Sequence, residues 1–287
     1  MNVVFCVDSN YVPYCTTAIQ SIIQNNNCEE QITFYITHFP DVKNIDIVLN
    51  HIKSSGHIGI GIAVDQSKFN TLQVHSHISK TTYQRLYLAE LLPIDIGRIL
   101  YLDCDLIVQS TLFELFNHNL DGYSTGMIPE LANKSSANGK LQYNAGVMLM
   151  DLNKWREKKL GNKIIDYIVS QKGALEWLDQ TAINETIWED IKSIDIKWNM
   201  ITQYFSKNLS AYSEEEKKMI KNRKSNANII HFTTDSKPWD YINDHPYRPC
   251  FFNYLEKTPF YKIKLSNKTP KTILKKFRRA IRSRLKR

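Results

Sequence analysis

VVFCVDSNYVPYCTTAIQSIIQ, residues 3–24, opens with five consecutive apolar residues, stops at Asp8 and then repeats apolar side chains at helical spacing from Tyr14 to Gln24. The first part reads as a buried strand and the second as a helix. QITFYIT (31–37) is β-branched and aromatic enough for a second strand, DIVLNHI (46–52) suits a helix, and HIGIGIAV (57–64) a third strand. The order βαβαβ predicts an α/β protein with a mostly parallel sheet flanked by helices. Ligands of such sheets sit beyond the carboxyl ends of the strands, where Asp8 falls. No G-x-G-x-x-G opens the first helix and no G-x-x-x-x-G-K-[ST] loop occurs, so dinucleotide and P-loop binding lose their main support. GHIGIG (56–61) has its glycines in the wrong order and is treated as a turn.

RILYLDCDLIV (98–108) is a further apolar run that places two carboxylates one residue apart. Alternation along a strand would send Asp103 and Asp105 to one face and Cys104 to the other. Like charges that close need a proton, a basic partner or a hard divalent cation. A solvated strand end with one capping Asp is an equally good reading of a lone D-x-D, so the remaining sequence has to decide.

The 287 residues can bury one large core, and a single catalytic domain over 1–262 is the economical reading. No stretch approaches eighteen apolar residues, and MNVVFCVDSNY lacks the basic n-region and cleavage site of a signal peptide, which predicts a cytoplasmic location. Cys6, Cys15, Cys28, Cys104 and Cys250 are odd in number and scattered, reading as reduced, mostly buried thiols. Of 37 Lys and Arg, ten lie in 268–287 with no acid, leaving 27 basic against 29 acidic residues elsewhere. A near-neutral body argues against nucleic acid, and a basic end suggests an anchor.

TYQRLYLAELL (82–92) reads as a helix stopped by Pro93, YNAGVMLMDLNKW (143–155) as a turn, a strand and a helix ending near Gly173, and WLDQTAINETIW (177–188) as a further helix. NIIHFTTDSKPWD (228–240) is a strand ending on His231 and breaking into a polar loop. After Pro270, Ile273, Leu274, Phe277, Ile281 and Leu285 share one side of a basic amphipathic helix. Residues 263–287 are therefore expected to form a tail that holds the protein peripherally at the inner face of an anionic membrane.

VDSNY, HISKTTYQRL, YLDCDLIV, YNAGVMLMDLNKW, LDQTAIN and HFTTDSKPW, six motifs in order over roughly residues 1–250, resemble glycosyltransferase family 8. These are retaining enzymes, among them bacterial lipopolysaccharide galactosyl- and glucosyltransferases and glycogenin. The resemblance implies the Rossmann-like GT-A fold, a UDP-hexose donor, Mn²⁺ (or Mg²⁺), and a glycan or lipid-linked acceptor. It implies Asp103, Asp105 and His231 as metal ligands, with Cys104 between the acids, a donor set that suits Mn²⁺. A lone strand-end histidine would more often be a hydrogen-bonded core residue.

By the same resemblance Lys237 contacts the diphosphate as a point charge, beside Thr234, which stands where relatives usually carry Gly. Asp8, Asn10 and Tyr11 resemble a uridine pocket, otherwise a plain turn. Arg85 would reach the donor sugar or a phosphate from its helix, with His77 in a loop that closes over it. Asn144, beside Ala145, and the pair Asp179 and Gln180 would hold the sugar hydroxyls, roles that short amides and carboxylates can fill. Glu130 falls where relatives often carry an Asp. Asp179 and Gln180 are the catalytic candidates: the amide of Gln180 beneath the anomeric carbon is a poor nucleophile, which favours front-face attack.

ILYLDCDLIV also resembles the first motif of haloacid-dehalogenase phosphatases, with Asp103 as nucleophile. That reading finds no downstream acidic pair and leaves HFTTDSKPW unused.

Overall fold

Val3 to Val7 are buried in strand β1 (Asn2–Val7), which pairs in parallel with β2 (Thr33–His38) and β4 (Arg98–Leu102). The computed structural model describes residues 1–26, 30–69, 80–134, 139–171 and 178–284. The remaining strands are β3 (Ile58–Ala63), β5 (Leu106–Val108), β6 (Thr125–Lys134), β7 (Leu141–Asp151), β8 (Ile191–Ser193), β9 (Met200–Ile201) and β10 (Ile229–His231). Seven form one sheet in the order β3-β2-β1-β4-β7-β6-β8, and three form a second, β5-β10-β9.

Burial explains why β1 lacks polar alternation. Val3, Phe5 and Val7 pack into one hydrophobic cluster with Ile19 and Ile22 of the helix Val12–Asn25, while Val4 and Cys6 face another that holds Tyr83, Leu86 and Trp155. β4 repeats the division, with Leu100 and Leu102 on the first side and Ile99 and Tyr101 on the second. Both faces are covered, which is the environment that continuous apolar strands require. The βαβαβ order expected from 3–64 is present, with helices Val12–Asn25 and Ile45–Ser54 as crossovers. Gly59 and Gly61 lie inside β3, and only Gly56 of GHIGIG adopts a turn conformation, at φ 82°.

Three local expectations are corrected. YNAG is no turn: Tyr143 and Asn144 sit within β7, paired with Pro129 and Ile128 of β6. β7 runs antiparallel between β4 and β6; pairing with β6 holds Tyr143 and Asn144 in the strand, and the register jumps from Met148 to Asn144, so Ala145 to Val147 form an irregularity where the β4 ladder begins at Val147. The segment 82–92 is a tight 3₁₀ run, Lys80–Tyr87, followed by one α-turn, Leu88–Leu91. Four consecutive side chains, Tyr83 to Leu86, are buried there, more than one stripe of an α-helix can bury. The helix after β7 breaks at Lys159, which takes the left-handed conformation (φ 51°), into Leu152–Lys158 and Leu160–Ser170. A Cβ at Gly161 would lie 2.2 Å from the Leu86 carbonyl oxygen, so the second piece rests directly on the 3₁₀ segment.

The chain leaves the large sheet at Leu102 and enters the small one at Leu106. Asp103, Cys104 and Asp105 are that join. β10 pairs antiparallel to β5, with His231 opposite Leu106. The C-terminal helix Pro270–Arg284 starts with proline, and Thr269 and Thr272 exchange capping hydrogen bonds around it. Ser266 bridges to Asp240, so bonds cross the body–tail boundary drawn at 262/263. Among the described residues, no helix is long and apolar enough to cross a membrane.

Candidate active site

Asp103, Asp105 and His231 offer three ligand atoms within 4.8 Å of one another. His231 Nε2 lies 3.1 Å from Asp105 Oδ1 and 3.7 Å from Asp103 Oδ2. The outer oxygens are engaged elsewhere. Asp103 Oδ1 accepts from the Tyr101 hydroxyl at 2.6 Å and meets Arg85 Nη2 at 3.2 Å, and Asp105 Oδ2 accepts from Lys237 Nζ at 2.7 Å. Burial alone would raise the Asp105 carboxyl; Lys237 and His231 more than offset it and hold the group well below the usual carboxylate range.

A chain of amides fixes the tautomer of His231. The backbone N–H of Gly146 donates to Asn144 Oδ1 (3.0 Å), which makes that atom the acceptor and Asn199 Nδ2, 2.8 Å away, its donor. Asn199 Oδ1 must then accept from His231 Nδ1 at 2.9 Å, which turns Nε2 toward the acids, 3.1 Å from Asp105 Oδ1. That nitrogen and two carboxylate oxygens converge on one point. Two hard oxygens and a borderline nitrogen, with the far side of the imidazole held by an amide, fit a divalent ion such as Mn²⁺ or Mg²⁺.

Gly146 permits this approach. A Cβ there would stand 2.2 Å from His231 Cε1 and 2.7 Å from Asp103 Oδ2. Asn199 and Gly146 both escaped the sequence reading. Asn199 sits in IKWNMI with no local signature, and Gly146 looked like part of a turn.

Arg85 is buried and ties the acids to the sugar-side residues. Its Nη1 donates to the Ala145 carbonyl at 2.7 Å, its Nε to Thr82 O, and its guanidinium lies 4.7 Å from the Tyr101 ring centre. Nε also lies 3.0 Å from Asp179 Oδ2, an ion contact rather than an aligned hydrogen bond, because its proton points at Thr82. Burial works to strip the proton from Arg85, and Asp103, Tyr101 and Asp179 overcome it, so the guanidinium is held charged more firmly than usual. Burial raises the Asp179 carboxyl above its ordinary value against the pull of Arg85.

Beside the acids opens a cavity of about 460 Å³, lined by Asp103, Asp105, Glu130, Asn144, Gln180 and His231 from the expected set, and by Gln203, Tyr212 and Thr233 besides. Glu130 Oε1 accepts from Asn144 Nδ2 at 2.8 Å. Gln180 Oε1 accepts from Asn144 Nδ2 (3.2 Å) and from the backbone N–H of Ala145 (3.1 Å), which leaves its NH₂ to offer.

Other expected residues lie outside this lining. Asp8 Oδ1 accepts from the N–H groups of Asn10 (2.9 Å) and Tyr11 (3.2 Å), closing the turn at the carboxyl end of β1. Burial and then the charge of Asp105 push the Tyr11 hydroxyl up. Tyr11 meets Trp239 edge-on at 5.8 Å, and Trp239 stacks on Tyr14 at 3.4 Å. Thr234 donates to the Ser236 carbonyl at 3.2 Å. The Cys104 thiol is buried and donates to Cys6 O; it lies in the bend between β4 and β5, so the expected strand alternation of 103–105 does not apply. Among the described residues Cys6, Cys15, Cys104 and Cys250 are free; Cys28 and His77 lie outside them.

The phosphatase reading is not favoured. Asp103 is enclosed by Tyr101 and Arg85, and Lys237 grips Asp105 instead of the supposed nucleophile.

Among solved structures, a galactosyltransferase, LgtC, in complex with donor and acceptor sugar analogues superposes with a TM-score of 0.80 over 90% of this chain and 96% of that one, at 23% identity. General stress protein A of Bacillus subtilis is 24% identical, with 90% of this chain and 94% of the relative aligned. A lipopolysaccharide 1,2-glucosyltransferase of Escherichia coli is 25% identical over 91% and 79% of the two chains. Glycosyltransferase GlyD of Streptococcus pneumoniae is 29% identical, but this chain spans only 30% of its length. The family model for glycosyl transferase family 8 matches residues 2–243, from β1 through the loop that carries Lys237, and the chain belongs to that family.

Proposed function

We propose that the protein is a retaining hexosyltransferase that moves galactose or glucose from a UDP-sugar to a glycan acceptor, such as lipopolysaccharide or another cell-surface glycan, with Mn²⁺ or Mg²⁺ as cofactor. One observation carries the reading: His231, its Nδ1 held by Asn199, turns Nε2 to the same point as the inner oxygens of Asp103 and Asp105. A hexose donor is supported by the names of the glucosyl- and galactosyltransferase relatives.

When bound, a divalent ion supplies Lewis-acid stabilisation to a departing diphosphate. Lys237 then exchanges its contact with Asp105 for a phosphate oxygen and adds a second positive charge on the leaving side. Asp8, Asn10 and Tyr11 at the end of β1, walled by Trp239, take the uridine. Asn144, Glu130 and Asp179 receive the sugar hydroxyls, and Arg85 holds Asp103 and Asp179 apart. Gln180 lines the sugar side of the cavity as an amide, a poor nucleophile, which suits front-face attack better than a covalent intermediate.

The tail from residue 263 places the enzyme on an anionic membrane surface that presents the acceptor. Ile273, Leu274 and Phe277 are exposed on the C-terminal helix among Lys271, Lys275, Lys276 and Arg278.

A panel of UDP-sugars with Mn²⁺, read as UDP release, tests the reading. Turnover of one UDP-hexose that stops in chelator supports it. Hydrolysis of simple phosphoesters with no UDP-sugar turned over would overturn it.

A further inference from the structure

Asp240 is buried, with 6% of its surface exposed, and among the described residues no cation stands within ion-pair distance of its carboxylate. Neutral donors hold it instead, and they come from two places. Oδ2 accepts from the backbone N–H of Lys237 at 2.9 Å; Oδ1 accepts from the Ser266 hydroxyl and from Asn267 Nδ2 (3.2 Å). A buried carboxylate is expensive unless its hydrogen bonds are complete, so this one is stable only while both segments stay together.

Further bonds run across the same seam. Tyr241 N–H donates to Ser266 O and Ser266 N–H to Trp239 O, each at 3.0 Å. Lys276 of the C-terminal helix donates to Tyr241 O at 2.8 Å and lies 4.6 Å from its ring centre. The segment 237–241 thus has one edge on residues 266–276. Its other edge is the nucleotide side of the site: Lys237 Nζ on Asp105, and Trp239 stacked on Tyr14 and edge-on to Tyr11.

We propose that Asp240 is a positioning residue through which the docked C-terminal segment orders the 237–241 turn, and with it the lysine and the aromatic wall of the nucleotide pocket. The functional half of this inference rests on the donor site proposed above. The chain end is then a structural support of donor binding as well as an appendage.

The test uses the full-length chain with Ser266→Ala and Asn267→Ala combined, which leaves Asp240, Lys237 and Trp239 in place. Backbone amide exchange is followed without substrate, and UDP affinity is titrated with Mn²⁺ present. Losing donors to a buried carboxylate is expected to speed exchange across 236–241 and to weaken UDP by about tenfold each, while β1 and β4 exchange as before and kcat changes less than KM. Asp240→Asn, which keeps one acceptor oxygen, should fall between the two. Unchanged exchange in 236–241 while 264–276 exchanges faster would show two independent segments and overturn the proposal. So would a loss of protection spread evenly over β1 and β4, which marks a merely structural residue. If the unmodified protein fails to bind UDP at all, the donor reading fails, and the exchange measurement still decides the coupling.

Discussion

Asn199 Oδ1 accepts from His231 Nδ1 at 2.9 Å, and that bond decides which nitrogen the imidazole presents to the acids. Asn199→Ala removes the restraint while leaving all three candidate ligands in place. Mn²⁺ affinity, measured by calorimetry on the purified protein, should fall about 10- to 100-fold, the usual effect of losing the partner behind a ligating histidine. Unaltered affinity would mean that His231 is not a ligand.

Gly146→Ala tests the same centre from the backbone. The new methyl group meets His231 and Asp103 inside contact distance, so one of them must move. Overpacking predicts a loss of about 1–3 kcal/mol in stability, readable as a lower melting temperature, together with loss of metal-dependent UDP release. A variant as active and as stable as the parent would show that the backbone shifts freely there.

Gln180→Ala removes the amide that lines the cavity and frees the Ala145 N–H. Transfer should slow yet persist, with the anomeric configuration retained, because no covalent bond to Gln180 is needed. NMR of the product reads the configuration, and an inverted product would refute the mechanism.

His245 gives a pH prediction remote from the acids. Burial, opposed by Asp244 and aided by Lys224, holds its pKa down from 6.5 to about 4, and its Nε2 has no hydrogen-bond partner among the described residues. The unfolded chain takes up this proton below its ordinary value, whereas the native state refuses it until the lower one. Stability is therefore fully present above the unfolded pKa and falls as pH drops through the window, by at most about 3 kcal/mol. His245→Gln should flatten that slope in urea melts at successive pH values, and an unchanged slope would assign the acid sensitivity to other groups.

The C-terminal helix can be probed without disturbing its bond to Tyr241. Leu274→Glu with Phe277→Glu alters two exposed side chains and leaves Lys276 in place. The parent should sediment with phosphatidylglycerol vesicles at low salt and the double variant should not, while UDP release in solution stays the same. A parent that never sediments would rule out the anchor.

The first half of the fold was legible because β1 to β3 and their crossover helices are long enough to show their period, and because β1 and β2 are buried on both faces. The three-stranded sheet was not, although its strand ending on His231 was read. β9 has two residues and β5 and β10 three each, too short for any periodicity. Asp103 and Asp105 were conspicuous as acids at the end of an apolar run, but their role as ligands, and that of His231, came from the family resemblance, since a lone D-x-D reads equally well as a solvated strand end. Asn199 could not be read, because its role exists only once β9 has paired with β10. YNAG misled because local preference favours a turn, and the pairing with Pro129 and Ile128 of β6 that overrides it is not visible within the motif.

The join between the sheets has a thermodynamic consequence. Asp105 enters β5 and His231 ends β10, 126 residues later, so an ion shared by the two clasps distant stretches of chain. A covalent cross-link at that span would act on the unfolded ensemble permanently. An ion that recognises only the folded arrangement contributes by mass action instead, about 2.7 kcal/mol at a hundredfold excess over its Kd. With the proposed ion bound, the protein would carry a reversible fastener whose strength follows the free metal concentration around it, and dialysis against chelator should lower its melting temperature even where no sugar is ever transferred.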